Sequence, residues 1–324
     1  MRRSWLALGV VVVVIAVVLV IQLRPRTRGA TDEEDAGPRK GSITTPTGDA
    51  SQAEAETVAE KPKETEGEPQ EAEDEGQDEE PQPPEPQSVE EAAAKADAFT
   101  AAGKHQEAHS LLSRALAAEP RPDDPGPLKA RINKLTEEIV FSSKPGHLSV
   151  THEVARGDTL WKIAKQHTTT VGLIQRLNGL KSDTIVPGQK LKVIPGPFDA
   201  VVVKSDFKLT VYKEGLWIRE FPVGLGKDGT TPVGEFVAGE KIPKPPYTAV
   251  YPHIPYDDKE NNPLGTRWIT IQGAGAGQYG IHGTWEPDSI GKERSKGCIR
   301  MLNKDVELVY DLMVRGKSSI VIKP

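Results

Sequence analysis

A chain of 324 residues is long enough for two or more folded units at ~100–200 residues each. A single cysteine excludes an internal disulfide framework. The formal net charge of −6 is uneven: residues 29–87 hold 19 acidic and 4 basic side chains, whereas 88–324 hold 32 basic and 28 acidic, a balance that argues against a dedicated nucleic-acid binder.

Residues 5–23 are nearly all apolar, dominated by Val, Leu, Ile and Ala. At ~1.5 Å per residue the run crosses a hydrocarbon core of ~30 Å. A cleavable signal has a shorter apolar region of ~7–15 residues and a small-x-small cleavage site. Leu23-Arg24-Pro25-Arg26-Thr27-Arg28 offers no such site. The expectation for 1–28 is therefore an uncleaved membrane anchor with basic flanks. Residues 29–87 are rich in Glu, Pro and Gln and almost free of large apolar side chains. Such a segment cannot offset its ordering entropy, so a disordered acidic linker is expected, extended by its own charge.

Ser88-Val89-Glu90-Glu91 is a capping-box signal. It predicts a helix to about Ala102, broken at Gly103, then a second from His105 to Ala118 and a third from about Leu128 to Phe141. Ala102-Gly103-Lys104-His105-Gln106-Glu107-Ala108, with Ala115-Leu116 and Pro120, is similar to a tetratricopeptide-type helical pair. Residues 88–142 then either pack on themselves or dock a protein partner. His105 and His109 share a helix face, but no further ligand motif accompanies them, and no metal or organic cofactor is expected anywhere in the chain.

In 148–195 a strand at Thr151-His152-Glu153-Val154 precedes Gly157-Asp158-Thr159-Leu160, which opens a helix capped by Asp158 or Thr159. A second helix starts at Thr170 and ends at Gly179, suited to a left-handed C-cap. Pro187-Gly188-Gln189 turns into a closing strand from Lys190 to Ile194. The βααβ order with its Gly-Asp-Thr-Leu and Pro-Gly-Gln-x-Leu signatures resembles a LysM domain. That resemblance implies binding to glycan containing N-acetylglucosamine. It assigns contacts to Gly157, Asp158, Thr159 and Leu160 and to the loop from Asn178 to Ile185.

From Ala200 the pattern turns to β. Val201-Val202-Val203, Lys208 to Tyr212, Leu216-Trp217-Ile218 and Arg219 to Val223 read as strands separated by turns. One long helix, about Lys304 to Val314, is capped by Asn303 and ended by Gly316, and a last strand runs from Ser318 to Ile322. Within this region lies the only cysteine, Cys298, preceded by Gly297, with His282 sixteen residues upstream. A thiol needs a base to become a nucleophile, and histidine is the usual one. A buried structural cysteine is the alternative, but Lys296 and Arg300 flank the position and make a poor apolar environment.

The ordered set Thr231-Pro232-Val233-Gly234-Glu235-Phe236, Asn262-Pro263-Leu264-Gly265, Ile281-His282-Gly283-Thr284 and Ser295-Lys296-Gly297-Cys298-Ile299-Arg300-Met301 resembles the YkuD-type L,D-transpeptidases of bacterial cell walls. It covers 198–324. The resemblance implies a mainly β sandwich or barrel with one long helix. It also implies peptidoglycan L,D-transpeptidase activity: a tetrapeptide stem is attacked at its third residue, D-alanine leaves, and an acceptor amine resolves the thioester. By position, Cys298 is the nucleophile, His282 the base and the Gly283 carbonyl its orienter. Ser295 supports the cysteine loop, and the N–H groups of Gly297 and Cys298 are candidates for the oxyanion hole. Lys296 stands where many members have histidine; with Arg300 it is a candidate substrate contact. Partners are then peptidoglycan glycan, stem peptides and, through 1–28, the membrane, with everything from residue 29 onward outside the cytoplasm. Two alternatives stay open at this point: a hydrolase trimming stems by the same chemistry, and a non-catalytic wall-binding scaffold.

Overall fold

The computed structural model describes residues 88–118, 122–275 and 279–324. The expected anchor and acidic linker lie outside the described residues. Among the described residues no helix is long and apolar enough to cross a membrane.

The amino-terminal helices are α1 (Val89–Ala101), α2 (His105–Ala117) and α3 (Gly126–Thr136), the last running into a π-helical turn, Glu137–Phe141. Ser88 caps α1 as expected, its Oγ accepting from the Glu91 N–H at 3.1 Å. Gly103 makes the break with a φ of 74°. Ala92, Ala93 and Ala96 of α1 let the helices pack closely on Leu111, Leu112, Leu128 and Ile132.

β1 (Val150–Glu153) and β2 (Lys190–Val193) pair antiparallel around α4 (Leu160–Gln166) and α5 (Val171–Asn178). Thr159, not Asp158, caps α4, accepting from the Lys162 N–H at 3.2 Å. Thr170 does the same for α5, with the Leu173 N–H at 3.0 Å. Gly179 closes α5 at a φ of 63°, left-handed as its position demands.

The remainder is one eight-stranded mixed sheet beside a two-stranded pair. Its strands are β3 (Asp199–Val203), β4 (Lys208–Lys213), β5 (Leu216–Pro222), β7 (Gly234–Pro243), β8 (Arg267–Gln272), β9 (Gly280–His282), β11 (Ile299–Arg300) and β12 (Ser319–Lys323). β6 (Leu225–Gly226) and β10 (Glu293–Ser295) form the small parallel pair. The sheet order is β11-β9-β8-β7-β12-β3-β4-β5, with parallel pairs at β12–β3 and β11–β9. Beyond β5, Gly224 bridges Arg300 of β11 through two backbone hydrogen bonds of 2.9 and 2.8 Å. The curled sheet thus meets itself at one point, which reconciles the sandwich and barrel readings. The single helix α6 (Asn303–Leu312) packs Val306, Val309 and Leu312 into the same core as Phe198, Ile269 and Ile281.

Three expectations change. The run from Leu216 to Pro222 is one strand, not two, and Val223 lies beyond its end: Trp217 and Ile218 are buried together and no turn residue separates them from Arg219. Asn303 does not cap α6; Leu302 holds the cap position, and the Asn303 Oδ1 instead accepts from the Thr266 N–H at 3.0 Å. The helical segment does not merely pack on itself. Its α2 covers the free edge of β5, where Ser113 Oγ accepts from the Trp217 N–H at 3.0 Å and the His109 Nε2–H donates to the Trp217 carbonyl at 2.6 Å. An uncovered edge strand invites pairing with other chains, and these two side chains occupy its donor and acceptor.

Candidate active site

The parallel register of β9 and β11 builds the centre. Ile281 pairs with Ile299 and His282 with Arg300. Continued by one residue, that register sets Cys298 beside Gly280. Side chains alternate across a strand. Ile281 and Ile299 therefore point into the core, fully buried. His282, Arg300 and Cys298 share the other face.

His282 is 3% exposed. Its Nδ1–H donates to the Gly283 carbonyl at 2.6 Å, which leaves Nε2 as the basic nitrogen. Its ring stacks on Trp268, the cross-strand partner in β8, with centroids 5.7 Å apart and planes 17° apart. Burial lowers its pKa to about 4, against the opposing pull of the Gly283 hydrogen bond, so the imidazole is neutral at neutral pH. Burial likewise pushes the Cys298 thiol up, with a backbone hydrogen bond at Gly280 and the Arg300 charge pulling the other way. A neutral thiol beside a neutral imidazole calls for proton transfer at the moment of attack, not for a preformed ion pair.

The cysteine loop is held by Ser295. Its hydroxyl donates to the Cys298 carbonyl at 2.6 Å and accepts from the Gly297 N–H at 3.1 Å. Gly297 has a φ of +116°, and a Cβ there would lie 2.4 Å from Tyr279 Cε1. Only glycine serves that position. Because Ser295 takes the Gly297 N–H, that group is withdrawn from the oxyanion role expected of it.

Lys296 is exposed. Arg300 is half-buried and engaged: its Nη1 donates to Glu286 Oε2 at 2.8 Å, and its Nε is buried without a hydrogen-bond partner. Its expected contact with substrate is therefore in competition with the exposed Glu286 carboxylate.

Four supporting residues make contacts that the linear pattern did not foretell. Trp268 meets His282 only through strand pairing. Tyr279 shapes the Gly297 turn. Asn303 Oδ1 sits so close to Gly265 and Gly283 that a Cβ on either would approach it to 2.2 and 2.1 Å. It therefore fixes the turn whose carbonyl holds His282. Thr231 Oγ1 accepts from the Gly226 N–H at 2.8 Å, and a Cβ on Gly226 would come within 2.5 Å of Gly297 Cα. The Thr-Pro-x-Gly segment thus braces the cysteine loop. Thr231 stood in a recognised motif and Asn303 was read as a helix cap, but neither reading foresaw these contacts.

In the βααβ unit the expected contacts divide. Gly157 and Thr159 are exposed, and Asp158 and Ile185 half-buried. Asp158 Oδ2 accepts from the Ala155 N–H at 2.8 Å and pairs with His152 Nε2 at 3.2 Å; these contacts hold its carboxyl below the usual range. Leu160 is 2% exposed and sits in the unit's own core, so its side chain packs and presents nothing to a ligand. Asn178 spends its amide on the backbone, donating to the Ile174 and Lys192 carbonyls and accepting from the Lys192 N–H, each at 2.8 Å. Among the described residues no group of three or more His, Cys, Asp or Glu side chains is placed to hold a metal.

Residues 197–322 match the YkuD family, described as the L,D-transpeptidase catalytic domain, and residues 152–193 match the LysM domain. The curated protein of Bacillus licheniformis named as the L,D-transpeptidase YkuD is 34% identical over 174 residues, covering 51% of this chain and 94% of that protein. Its namesake in Bacillus subtilis is 33% identical over 175 residues, covering 52% and 95%. A solved L,D-transpeptidase from Mycobacterium smegmatis aligns with a TM-score of 0.33 and 24% identity over 43% of this chain and 65% of that one.

Proposed function

We propose, from the premise that this chain belongs to the YkuD family of L,D-transpeptidases, that Cys298 is its nucleophile and His282 its general base. His282 Nε2 takes the thiol proton as Sγ attacks the carbonyl of the third stem residue. The protonated ring then gives that proton to the departing amine of D-alanine, and a thioester remains. The side-chain amine of another stem attacks the thioester, losing its proton to His282, and the thiol is restored. Burial suits the neutral imidazole to this shuttle, and the Gly283 carbonyl supports the ring when it is charged. The observation that carries the reading is the shared face of Cys298 and His282, set by the β9–β11 register and locked by Ser295 and Gly283.

The test is incubation of the purified chain with defined tetrapeptide muropeptides, with products identified by mass. Cross-linked stem dimers are expected from the native chain and none from Cys298→Ala. A product consisting only of trimmed tripeptide stems would assign the hydrolase instead.

The LysM unit in this reading grips glycan through the exposed Gly157–Thr159 backbone and the 180–185 loop, with Leu160 and Asn178 serving the fold. The tetratricopeptide-like segment 88–142 serves the catalytic sheet internally by covering β5. Residues 5–23 anchor the chain in the membrane and 29–87 space the folded part toward the wall, outside the cytoplasm. Protease added to intact spheroplasts should cut within 29–87 and release an active fragment; full protection would reverse this topology.

A further inference from the structure

The LysM unit has two apolar faces. Its own core is formed by residues such as Ile163, Ile174 and Leu191. The outer side of α5, Leu173 and Leu177, with Ile194 after β2, belongs instead to the large core shared with the catalytic sheet. A module that merely trails on a tether buries no such second face.

Polar pins reinforce this back face on two sides. Toward α6, Thr170 Oγ1 donates to the Asp311 carbonyl and Arg176 Nε donates to Asp311 Oδ2 at 2.9 Å. Toward the helical segment, Lys192, only 5% exposed, donates its ammonium to the carbonyls of Ile139, Val140 and Ser142 at 2.8, 2.9 and 2.9 Å. Those carbonyls end a helix and need donors, so the lysine is satisfied and the helix end is capped together. The opposite side is left open: Gly157 and Thr159 are exposed, and Trp161 and Val186 are 63% and 58% exposed.

We propose that the LysM unit is a fixed arm and not a tether, so that the glycan strand it holds decides which stem peptide reaches Cys298. Direction and distance from the glycan loops to the nucleophile are then constant. Stems on polymeric glycan gain from this geometry and free stems do not. Arg176, Lys192 and Gly172 act as positioning residues for the reaction. The proposal rests on the reading of the LysM unit as the glycan-binding element.

Gly172 offers the test. A Cβ there would lie 2.4 Å from Asp311 Oδ1, so Gly172→Leu wedges α5 from α6. Arg176→Glu adds like charge against Asp311. Neither side chain belongs to the unit's own core, so the LysM fold and its glycan grip survive. Cross-linking would be measured on insoluble sacculi and on soluble tetrapeptide stems, alongside co-sedimentation with sacculi. The double variant should co-sediment and keep its rate on soluble stems within about twofold, yet lose about tenfold or more on sacculi, the scale on which effective concentration acts. Lys192→Met should move the same ratio in the same direction, and Arg176→Lys should leave it unchanged. An unchanged ratio in the double variant with co-sedimentation retained overturns the fixed arm. An equal fall on both substrates overturns it as well, because the interface then only supports the catalytic fold. If the native chain itself fails to sediment, the glycan reading fails and takes this proposal with it.

Discussion

The cysteine loop and the LysM loop carry equally recognisable signatures, yet they spend their polar atoms differently. Around Cys298, Ser295 and Gly283 use their hydrogen bonds to hold the proposed nucleophile and base, Cys298 and His282, on one face of the sheet. Around Gly157, the signature residues use theirs on the fold: Thr159 caps α4, Asp158 ties the Ala155 turn, and Asn178 laces α5 to β2. A short binding unit must stabilise itself with few residues. Its motif is therefore mostly architecture, and its exposed backbone is what remains for a ligand. The cysteine loop, mounted on a large core, can instead use its hydrogen bonds to orient half-buried and buried side chains.

Breaking the first half of this contrast has the largest effect. Cys298→Ala should remove all turnover while leaving the thermal midpoint close to native, since the half-buried thiol contributes little packing. Muropeptide mass analysis together with a melting curve checks both parts. Residual turnover would contradict the nucleophile assignment.

Next in size, His282→Ala should lower kcat/KM by ~10²–10⁴. Because burial holds this histidine at about 4, the acid limb of the native kcat/KM profile should fall well below pH 6. A limb centred at the ordinary histidine value of about 6.5 would argue against a buried neutral base.

A third region sharpens the comparison, because His109 is likewise spent on architecture. It is fully buried between the Trp217 carbonyl and His147, and burial lowers its pKa to about 4 from 6.5. Its folded pKa lies below the unfolded one, so the unfolded chain binds more protons between these values. Stability is fully present above about pH 6.5 and is lost as pH falls toward 4, by about 3 kcal/mol at most. Denaturant unfolding from pH 7 to 4 should show that slope, reduced in His109→Gln. His147, lowered by burial and by His105, contributes in the same sense.

Smallest is the LysM side. Asn178→Ala should destabilise that unit by about 1–3 kcal/mol through its unpaired backbone groups. Co-sedimentation with sacculi at temperatures where the unit stays folded should be unchanged. A loss of binding without a loss of stability would make Asn178 a ligand contact after all.

Much of this was legible in the linear chain because it depends on local chemistry. Ser88, Thr159, Thr170 and Gly179 mark helix ends by their own hydrogen bonds and φ values. The Gly297-Cys298 turn announced itself through a glycine that nothing else replaces. Where local signals compete, the reading went astray. Leu216 to Pro222 looked like two strands because its period shifts at a β-bulge, where Ile218 is the extra residue between Trp217 and Arg219, the partners of Tyr212 and Val211 in β4. Asn303 looked like a cap because asparagine before a helix usually is one; the Thr266 N–H across the cleft claimed its oxygen first.

From sequence alone, then, came the LysM unit ahead of the YkuD region, the βααβ order and the proposal of Cys298 with His282, since each rests on residue type and spacing along one stretch of chain. Only the tertiary structure decided that Trp268 stacks on His282, that Asn303 fixes the Gly283 turn, that Glu286 takes Arg300, that α2 seals the β5 edge and that Lys192 binds the LysM unit to the helices. These contacts join residues 14 to 108 positions apart. Their partners are chosen by strand register and by the need of buried donors and acceptors for one another, and neither leaves a periodic trace in the chain.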